Sequence, residues 1–238
     1  MRPEREIKDF NPFPGLRPFA TEDSDLFFGR EIESGEVIGK LLKNRYVTVI
    51  GASGSGKSAL IYSAVLPKVS NKIAGESSVW KIISFRPGND PFGNLAASLS
   101  KGIPESEQKS DDEEKILSEL LENPEGFTAA VRKYIIRPDD KLLLVIDQFE
   151  ELFRFSSPGK SEISHANAAK FVDFMVNAVI PPAVNIYIIV TMRSDYMSEC
   201  AHYHGLTKFV NDSNYFVPDM SVENYREVIE GPVKYAGA

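Results

Sequence analysis

Residues 47–60, VTVIGASGSGKSAL, have the residue types and spacing best suited to chemistry in this chain. Four apolar or β-branched residues run into a complete G-x-x-x-x-G-K-[ST] pattern, and an apolar segment follows. In such a loop, small residues let successive backbone N–H groups face a β-phosphate, and the next helix presents its positive N-terminal end. We expect Lys57 to reach the β- and γ-phosphates and the Ser58 hydroxyl to ligate Mg²⁺. The predicted nucleotide-contacting residues of this phosphate loop are Gly51, Ala52, Ser53, Gly54, Ser55, Gly56, Lys57, Ser58 and Ala59.

Carboxylates follow a second apolar run, LLLVIDQFEELF at 142–153. A strand that ends in an acid places Asp147 at the carboxyl edge of a sheet, beside the phosphate loop, where it can hold Mg²⁺ through water. Glu150 and Glu151 come within the next turn, and either carboxylate could orient or deprotonate an attacking water. Both glutamates remain candidates for the base. The alternative is a plain core strand with a polar helix start, but the phosphate loop upstream favours the metal-side interpretation.

A third run, IIVTMRSD, brings Thr191 and Arg193 to the same predicted edge. A guanidinium at that position could sense or stabilise a γ-phosphate. The alternative is a surface ion pair between Arg193 and Asp195. Cys200, His202 and His204 look metal-like, but their i, i+2, i+4 spacing without a fourth ligand suits structural zinc poorly.

Composition limits the function classes. The chain has 238 residues, 42% of them hydrophobic, which is enough for one large α/β domain with appendages. Its net charge of -7 and pI near 5.2 disfavour a nucleic-acid partner for this segment. No apolar run approaches the roughly 20 residues that cross a bilayer, and the charged N-terminus is unlike a signal peptide, so we predict a cytoplasmic protein. The single Cys200 agrees with a reducing compartment.

The elements that must position these residues follow from the apolar patterning. Strands and helices alternate along the chain, which predicts an α/β fold with a parallel sheet covered by helices on both faces. Prolines in the first 30 residues favour an extended strap with phenylalanine anchors. Ser110 and Glu113 have capping-box spacing and predict a helix start. The predicted strands are 46–50, 79–85, 142–147, 185–193 and 215–217, and the predicted helices include 31–43, 57–66 ending at Pro67, 91–99 and 166–179.

With these residues in hand, the chain resembles the novel STAND NTPases, a bacterial group of signal-transduction ATPases with many appended domains, often WD40 repeats. The resemblance covers nearly the whole chain and rests on seven segments in order. These are NPFPGLRPF at 11–19, LFFGREIE at 26–33, GASGSGKSAL at 51–60 with LPKV behind it, FRPGNDPFGNLAASL at 85–99, VIDQFEELF at 145–153, VTMRSDY at 190–196 and VENYREVIEGPV at 222–233.

The resemblance implies an ASCE-type P-loop core with strand order 5-1-4-3-2. It makes Gly29 and Arg30 candidates for contacts on the adenine side of the nucleotide. It also implies that Gly231 and Pro232 contact the nucleotide from a following helical domain. It assigns Asp147 to magnesium, Glu151 or Glu150 to water activation and Arg193 to γ-phosphate sensing. It also implies an N-terminal strap over 1–30, an NTPase core over 31–220 and the start of a truncated helical lid over 221–238.

The predicted function is that of an ATP-binding, slowly hydrolysing switch that uses ATP or ADP with Mg²⁺. The resemblance further implies self-association through the NTPase domain, C-terminal sensor or effector domains in a longer chain, and a role in signalling or defence. One alternative is a small-molecule kinase with the same loop, although the Gln-Phe-Glu-Glu run after Asp147 fits water activation better. The other is a module that retains nucleotide without turnover.

Overall fold

A sheet of five parallel strands forms the centre of the fold, seen in a computed structural model. The structure describes residues 12–13, 15, 17, 19–72, 79–122, 125–156, 162–179 and 184–236, and the side chains of 71, 72, 156, 162–165 and 204 are outside this description. The sheet order is β2-β3-β4-β1-β5, which confirms the predicted order 5-1-4-3-2. The strands are β1 (Tyr46–Gly51), β2 (Trp80–Phe85), β3 (Lys141–Ile146), β4 (Ile186–Arg193) and β5 (Asn214–Phe216).

Helices connect the strands and cover the sheet. Two of them contain a π-helical part: the helical segment after β1, which we call α2, and the one before β3, which we call α5. The helices are α1 (Glu31–Asn44), α2 (Lys57–Ala59, Leu60–Val65 and Leu66–Lys72), α3 (Pro91–Lys101), α4 (Asp112–Glu122), α5 (Gly126–Ala130 and Val131–Ile135), α6 (Glu150–Ser156), α7 (Glu162–Val179), α8 (His204–Asp212) and α9 (Val222–Tyr235).

Alternate residues of the central strands point into two separate cores, as the two-residue period of a strand requires. In β3, Leu142, Leu144 and Ile146 belong to one core, which α3, α4, α5, α7 and α8 complete. Leu143 and Val145 belong to the other, which α1 and α2 complete. Helices therefore cover both faces of the sheet, as predicted. The central strands are packed on both sides, and this packing fixes the position of the residues at their ends.

Several element boundaries differ from the predictions. The helix after the phosphate loop does not end at Pro67 but continues to Lys72. A π-helical turn precedes Pro67, and this wider turn coincides with the position where the ring would crowd the carbonyl of a regular α-helix. The predicted capping box from Ser110 is replaced by a helix that begins at Asp112, whose carboxylate accepts a hydrogen bond of 2.6 Å from the Lys109 N–H.

The described part of the predicted extended strap contains a 3-10 helix, Thr21–Leu26. Its first turn is held by Asp23, which accepts from both terminal nitrogens of Arg17 at 2.5 and 2.7 Å and from the Ala20 N–H at 2.9 Å. The Arg17 hydrogen bonds hold the pKa of Asp23 at about 2. The Arg17 to Asp23 pair thus stabilises a helical turn in this part of the predicted strap, after its last proline. Residues 1–11 lie outside the description.

Within the described ranges, the helices are all too short or too polar to cross a bilayer.

Candidate nucleotide-binding site

The predicted phosphate loop leaves the end of β1 and enters α2, as the sequence pattern requires. Gly54 and Gly56 have φ of 76° and 83°, a left-handed conformation that residues with a Cβ rarely adopt. Ser55 Oγ is buried and has no hydrogen-bond partner among the described residues. Burial of a hydroxyl without a hydrogen-bond partner costs free energy. A phosphate oxygen bound in the loop could accept a hydrogen bond from this hydroxyl.

Lys57 is folded back into this loop. Its Nζ donates to Gly51 O at 3.0 Å and to Ala52 O at 2.7 Å, and the residue is 9% exposed. Burial lowers the pKa of the ammonium group, and the nearby carboxylates of Glu150 and Asp147 oppose that shift. The loop therefore already contains a partly desolvated cation whose two partners are neutral carbonyl groups, which an anionic phosphate could replace.

Asp147 connects three strand ends. The carboxylate is at the end of β3 and 1% exposed. Its Oδ1 accepts hydrogen bonds of 2.7 Å from Ser58 Oγ and from Thr191 Oγ1, while its Oδ2 accepts from Nε and Nη2 of Arg86 at 3.3 Å each. The structure thus brings together Ser58 and Asp147, the two residues predicted to lie on the magnesium side. Both offer hard oxygen atoms, the ligand type that Mg²⁺ prefers.

Arg86 is the contact that the sequence analysis missed. It follows β2 directly, and Phe85 at the end of β2 pairs with Ile146 at the end of β3. Because β2 and β3 are parallel neighbours, the residues after their last pair lie side by side. A charged residue directly after a strand of a parallel sheet was the available signal, in the segment FRPGND.

The two glutamates face different neighbours. Glu150 is 7% exposed, and its Oε2 accepts from the Arg193 N–H at 3.3 Å, toward the end of β4. Glu151 Oε2 instead accepts from the Gly88 N–H at 3.1 Å, in the loop after β2. With its amide oriented to satisfy both neighbours, Gln148 donates to Glu151 Oε1 at 3.1 Å and accepts from Arg86 Nη2 at 3.2 Å. Both oxygens of Glu151 are therefore restrained.

Arg193 is at the last position of β4, in register with Gly51 of β1. Its guanidinium donates to Asp195 at 3.0 and 2.7 Å and lies 5.7 Å from the Tyr196 ring centre. The structure thus contains the ion pair that the sequence analysis kept as the alternative role. Arg193 also helps to lower the pKa of Lys57, so its charge acts on the loop.

The residues assigned to the adenine side form a separate cluster next to the loop. Arg30 is 6% exposed and donates to Glu33 Oε1 at 2.7 Å and to Pro218 O at 3.0 Å, so its guanidinium joins α1 to the chain after β5. Val217, one residue earlier, donates its N–H to Ile50 O at 2.8 Å, beside the start of the loop. Arg30 therefore supports the wall of the site through one side-chain contact and one backbone contact.

Helix α9 packs closely on this cluster. A Cβ added to Gly29, which has φ of 76°, would be 2.8 Å from Asn224 O, and one added to Gly231 would be 2.6 Å from the Phe28 ring. Pro232, the next residue, is buried. A cavity of about 740 Å³ opens between the 28–32 segment and α9. The structure thus brings Gly29, next to Arg30 in the chain, against α9, the helix that contains Pro232.

Cys200 of the Cys200-x-His202 pattern lies in the core. The Cys200 thiol is buried, with its Sγ 3.7 Å from Met192 Sδ, and burial raises the pKa of the thiol to about 11. Among the described residues, no three His, Cys, Asp or Glu side chains are grouped as metal ligands would be. The His204 side chain is outside the description.

A parallel sheet of this order, with a glycine-rich loop after its first strand, is the fold of an α/β P-loop NTPase. The chain belongs to the family described as Novel STAND NTPase 1, whose sequence profile matches residues 12–238. A comparison with curated proteins finds no match.

Solved structures support the fold. The ORC2 protein of Aeropyrum pernix, in ADPNP–ADP complexes, superposes with a TM-score of 0.52 at 16% identity, covering 96% of this chain and 55% of that one. A Walker-type ATPase of Pyrococcus abyssi gives 0.52 at 15% identity, covering 93% and 62%. At such identities the similarity concerns the fold alone. The chain thus spans about 55% of the length of the ORC2 protein.

Proposed function

We propose that this chain is an ATP-binding switch module that hydrolyses ATP slowly with Mg²⁺. The observation that carries the proposal is the 2.7 Å hydrogen bond between Ser58 and Asp147, with Lys57 seated in the adjoining loop. These three groups supply a metal ligand, a metal-side carboxylate and a phosphate-binding cation, the recurring parts of phosphoryl-transfer sites. Membership in a family of NTPases supports the same assignment.

In this proposal the loop residues 51–59 cradle the phosphates, and Lys57 exchanges its two carbonyl partners for phosphate oxygens. Ser58 and Asp147 would hold Mg²⁺, which when bound neutralises charge that develops on the phosphates. Glu150 or Glu151 accepts the proton of the attacking water. Arg193, released from Asp195, supplies a positive charge to the γ-phosphate.

The switch follows from contacts that ATP makes and ADP does not. Arg193 donates to Asp195 through its guanidinium and to Glu150 through its N–H, so a γ-phosphate has competing contacts to displace. A ligand shifts a conformational equilibrium only through such differential contacts. We further propose that residues 1–30 act as a strap, 31–220 as the NTPase core and 221–238 as the start of a lid. In this proposal, the nucleotide state, ATP or ADP, controls self-association and the attached sensor or effector domains.

The direct test is acid release of nucleotide from protein purified without added nucleotide, followed by chromatography and by binding of added ATP and ADP. We expect wild type to contain or bind nucleotide, Lys57→Ala to bind none, and Lys43→Ala, a matched change at an exposed lysine of α1, to behave like wild type. Normal binding by Lys57→Ala would show that the site is elsewhere.

Turnover is then measured as phosphate release by the full-length protein. Release of phosphate without any phosphorylated acceptor supports the ATPase, and a phosphorylated acceptor would favour the kinase. Stoichiometric ADP with no turnover would favour a module that only retains nucleotide.

A further inference from the structure

The Arg86 guanidinium compensates a buried carboxylate at the centre of the site. Asp147 is 1% exposed, and burial of an ionised carboxylate is expensive unless a cation or several donors accompany it. Two hydroxyls serve Oδ1, and Arg86 alone among the described residues provides a positively charged donor to Oδ2. Arg86 is therefore the counterion of Asp147 in this structure.

The geometry of the contact between Arg86 and Asp147 allows another cation to replace Arg86. Both Arg86 nitrogens are 3.3 Å from Oδ2, longer than the usual 2.7–2.9 Å of a charge-assisted bond. The Arg86 side chain is 58% exposed, whereas the carboxylate is buried. The guanidinium can therefore leave toward solvent at little desolvation cost, while Asp147 stays in place on Thr191.

A divalent cation on Ser58 and Asp147 would compete with Arg86 for the same carboxylate. The Ser58 hydroxyl donates its proton to Oδ1 and keeps two lone pairs, one of which it can offer to a metal. The doubly charged cation would then lie close to the guanidinium, and the two cations would repel each other. Binding of the metal to the Asp147 carboxylate therefore weakens the contact of Arg86 with the same carboxylate.

We propose that Arg86 is a built-in counterion that holds Asp147 when no divalent cation is bound and is expelled from it by the cation. This inference rests on the proposed function, because it takes Asp147 as the metal-side acid. Arg86 is a positioning residue in this role. Its departure also removes the partner of the Gln148 amide oxygen, and Gln148 restrains Glu151. Metal loading would thus loosen one of the two candidate bases.

The test uses Mn²⁺ as an EPR-visible probe with saturating ADP, and compares wild type with Arg86→Gln, Arg86→Lys and Arg137→Gln. Arg137 is exposed and precedes β3, at the opposite end from Asp147, so it controls for net charge. We expect Arg86→Gln to bind Mn²⁺ about fivefold more tightly. Arg86→Lys, which keeps the charge, should stay near wild type, and Arg137→Gln should be unchanged.

Unchanged or weaker Mn²⁺ binding in Arg86→Gln would overturn the proposal, and so would equal tightening in Arg137→Gln. If wild type binds ADP but no Mn²⁺, the counterion proposal fails while the nucleotide site stands. If wild type binds neither, the proposed function fails with it. Should Arg86→Gln not fold, NMR of ¹⁵N-arginine-labelled wild type decides, with Arg86→Lys identifying the Arg86 Nε–H signal. We expect that signal to shift between ADP and Mg²⁺·ADP, and its invariance would overturn the proposal.

Discussion

The Ser58 hydroxyl donates a 2.7 Å hydrogen bond to Oδ1 of Asp147, which follows it by 89 residues in the chain. This contact joins the first turn after the phosphate loop to the end of β3. It places side by side the two oxygen-bearing groups that the proposed function assigns to Mg²⁺.

Removal of the Ser58 hydroxyl should separate nucleotide binding from its dependence on Mg²⁺. We expect Ser58→Ala to bind ADP in EDTA like wild type, but to lose about tenfold or more of the affinity that Mg²⁺ adds. Ser58→Thr keeps a hydroxyl and should retain that gain. Calorimetric titration of ADP with and without Mg²⁺ measures both quantities. A full Mg²⁺ effect in Ser58→Ala would exclude this hydroxyl as a ligand.

Glu150→Gln and Glu151→Gln should differ in their effect on hydrolysis. Glu150 is the more buried, and its charge acts on Lys57 more strongly than that of Asp147, whereas both Glu151 oxygens are occupied. We expect Glu150→Gln to slow phosphate release about 100-fold or more with ATP binding intact, and Glu151→Gln to slow it less. Single-turnover hydrolysis of bound ATP provides the comparison. The reverse order would assign the base to Glu151.

Arg193 should determine the preference for ATP over ADP. Asp195 should compete with the γ-phosphate for the Arg193 guanidinium. Because this ion pair is largely exposed and screened by solvent, it contributes little to stability, and a γ-phosphate can displace Asp195 from it. Arg193→Gln should lower the ratio of ATP to ADP affinity about tenfold, and Asp195→Asn should raise it severalfold. Competition binding under non-hydrolysing conditions measures the ratio. Equal ratios in wild type and Arg193→Gln would rule out a sensor role.

Close packing of α9 on the 28–32 segment predicts a cost for any side chain at Gly231. A Cβ there would be 2.6 Å from the Phe28 ring, so Gly231→Ala should destabilise the fold by about 1–3 kcal/mol despite its better helix propensity. Gly39→Ala in α1 meets no atom within 4 Å and should be neutral or stabilising by about 0.5–1 kcal/mol. Urea unfolding of the two variants gives the comparison. If both changes stabilised the protein equally, α9 would not be seated on Phe28 in solution.

The Arg17 to Asp23 pair predicts an acid-dependent part of stability. The folded-state pKa of Asp23 is about 2 and its ordinary value 3.8, so the pair stabilises the fold fully above pH 3.8 and loses this contribution as the pH falls toward 2. Asp23→Asn should therefore cost about 1 kcal/mol at pH 7 and almost nothing near pH 2. Denaturant unfolding across this range measures the difference, with the exposed Asp139→Asn as control. A pH-independent cost would exclude the charge as its origin.

The sequence by itself determined the strands of the sheet and the loop, whereas the strand order was implied by the resemblance to a known family. Buried strands are continuous apolar runs, and a phosphate loop needs glycines and a lysine at fixed spacing, so both are local patterns that a single sequence displays. The meeting of Ser58 with Asp147 also followed, because the carboxyl ends of parallel strands share one edge.

Only the tertiary structure decided which partner each of these side chains has. The contacts of Arg86 with Asp147, of Glu151 with Gly88 and of Arg30 with Pro218 join residues far apart in the chain. Such contacts depend on the register of neighbouring strands and on side-chain rotamers, which leave no periodic signal in the sequence. The same holds for the π-helical turn before Pro67 and for the seat of Gly231 on Phe28, where packing overrode local propensity.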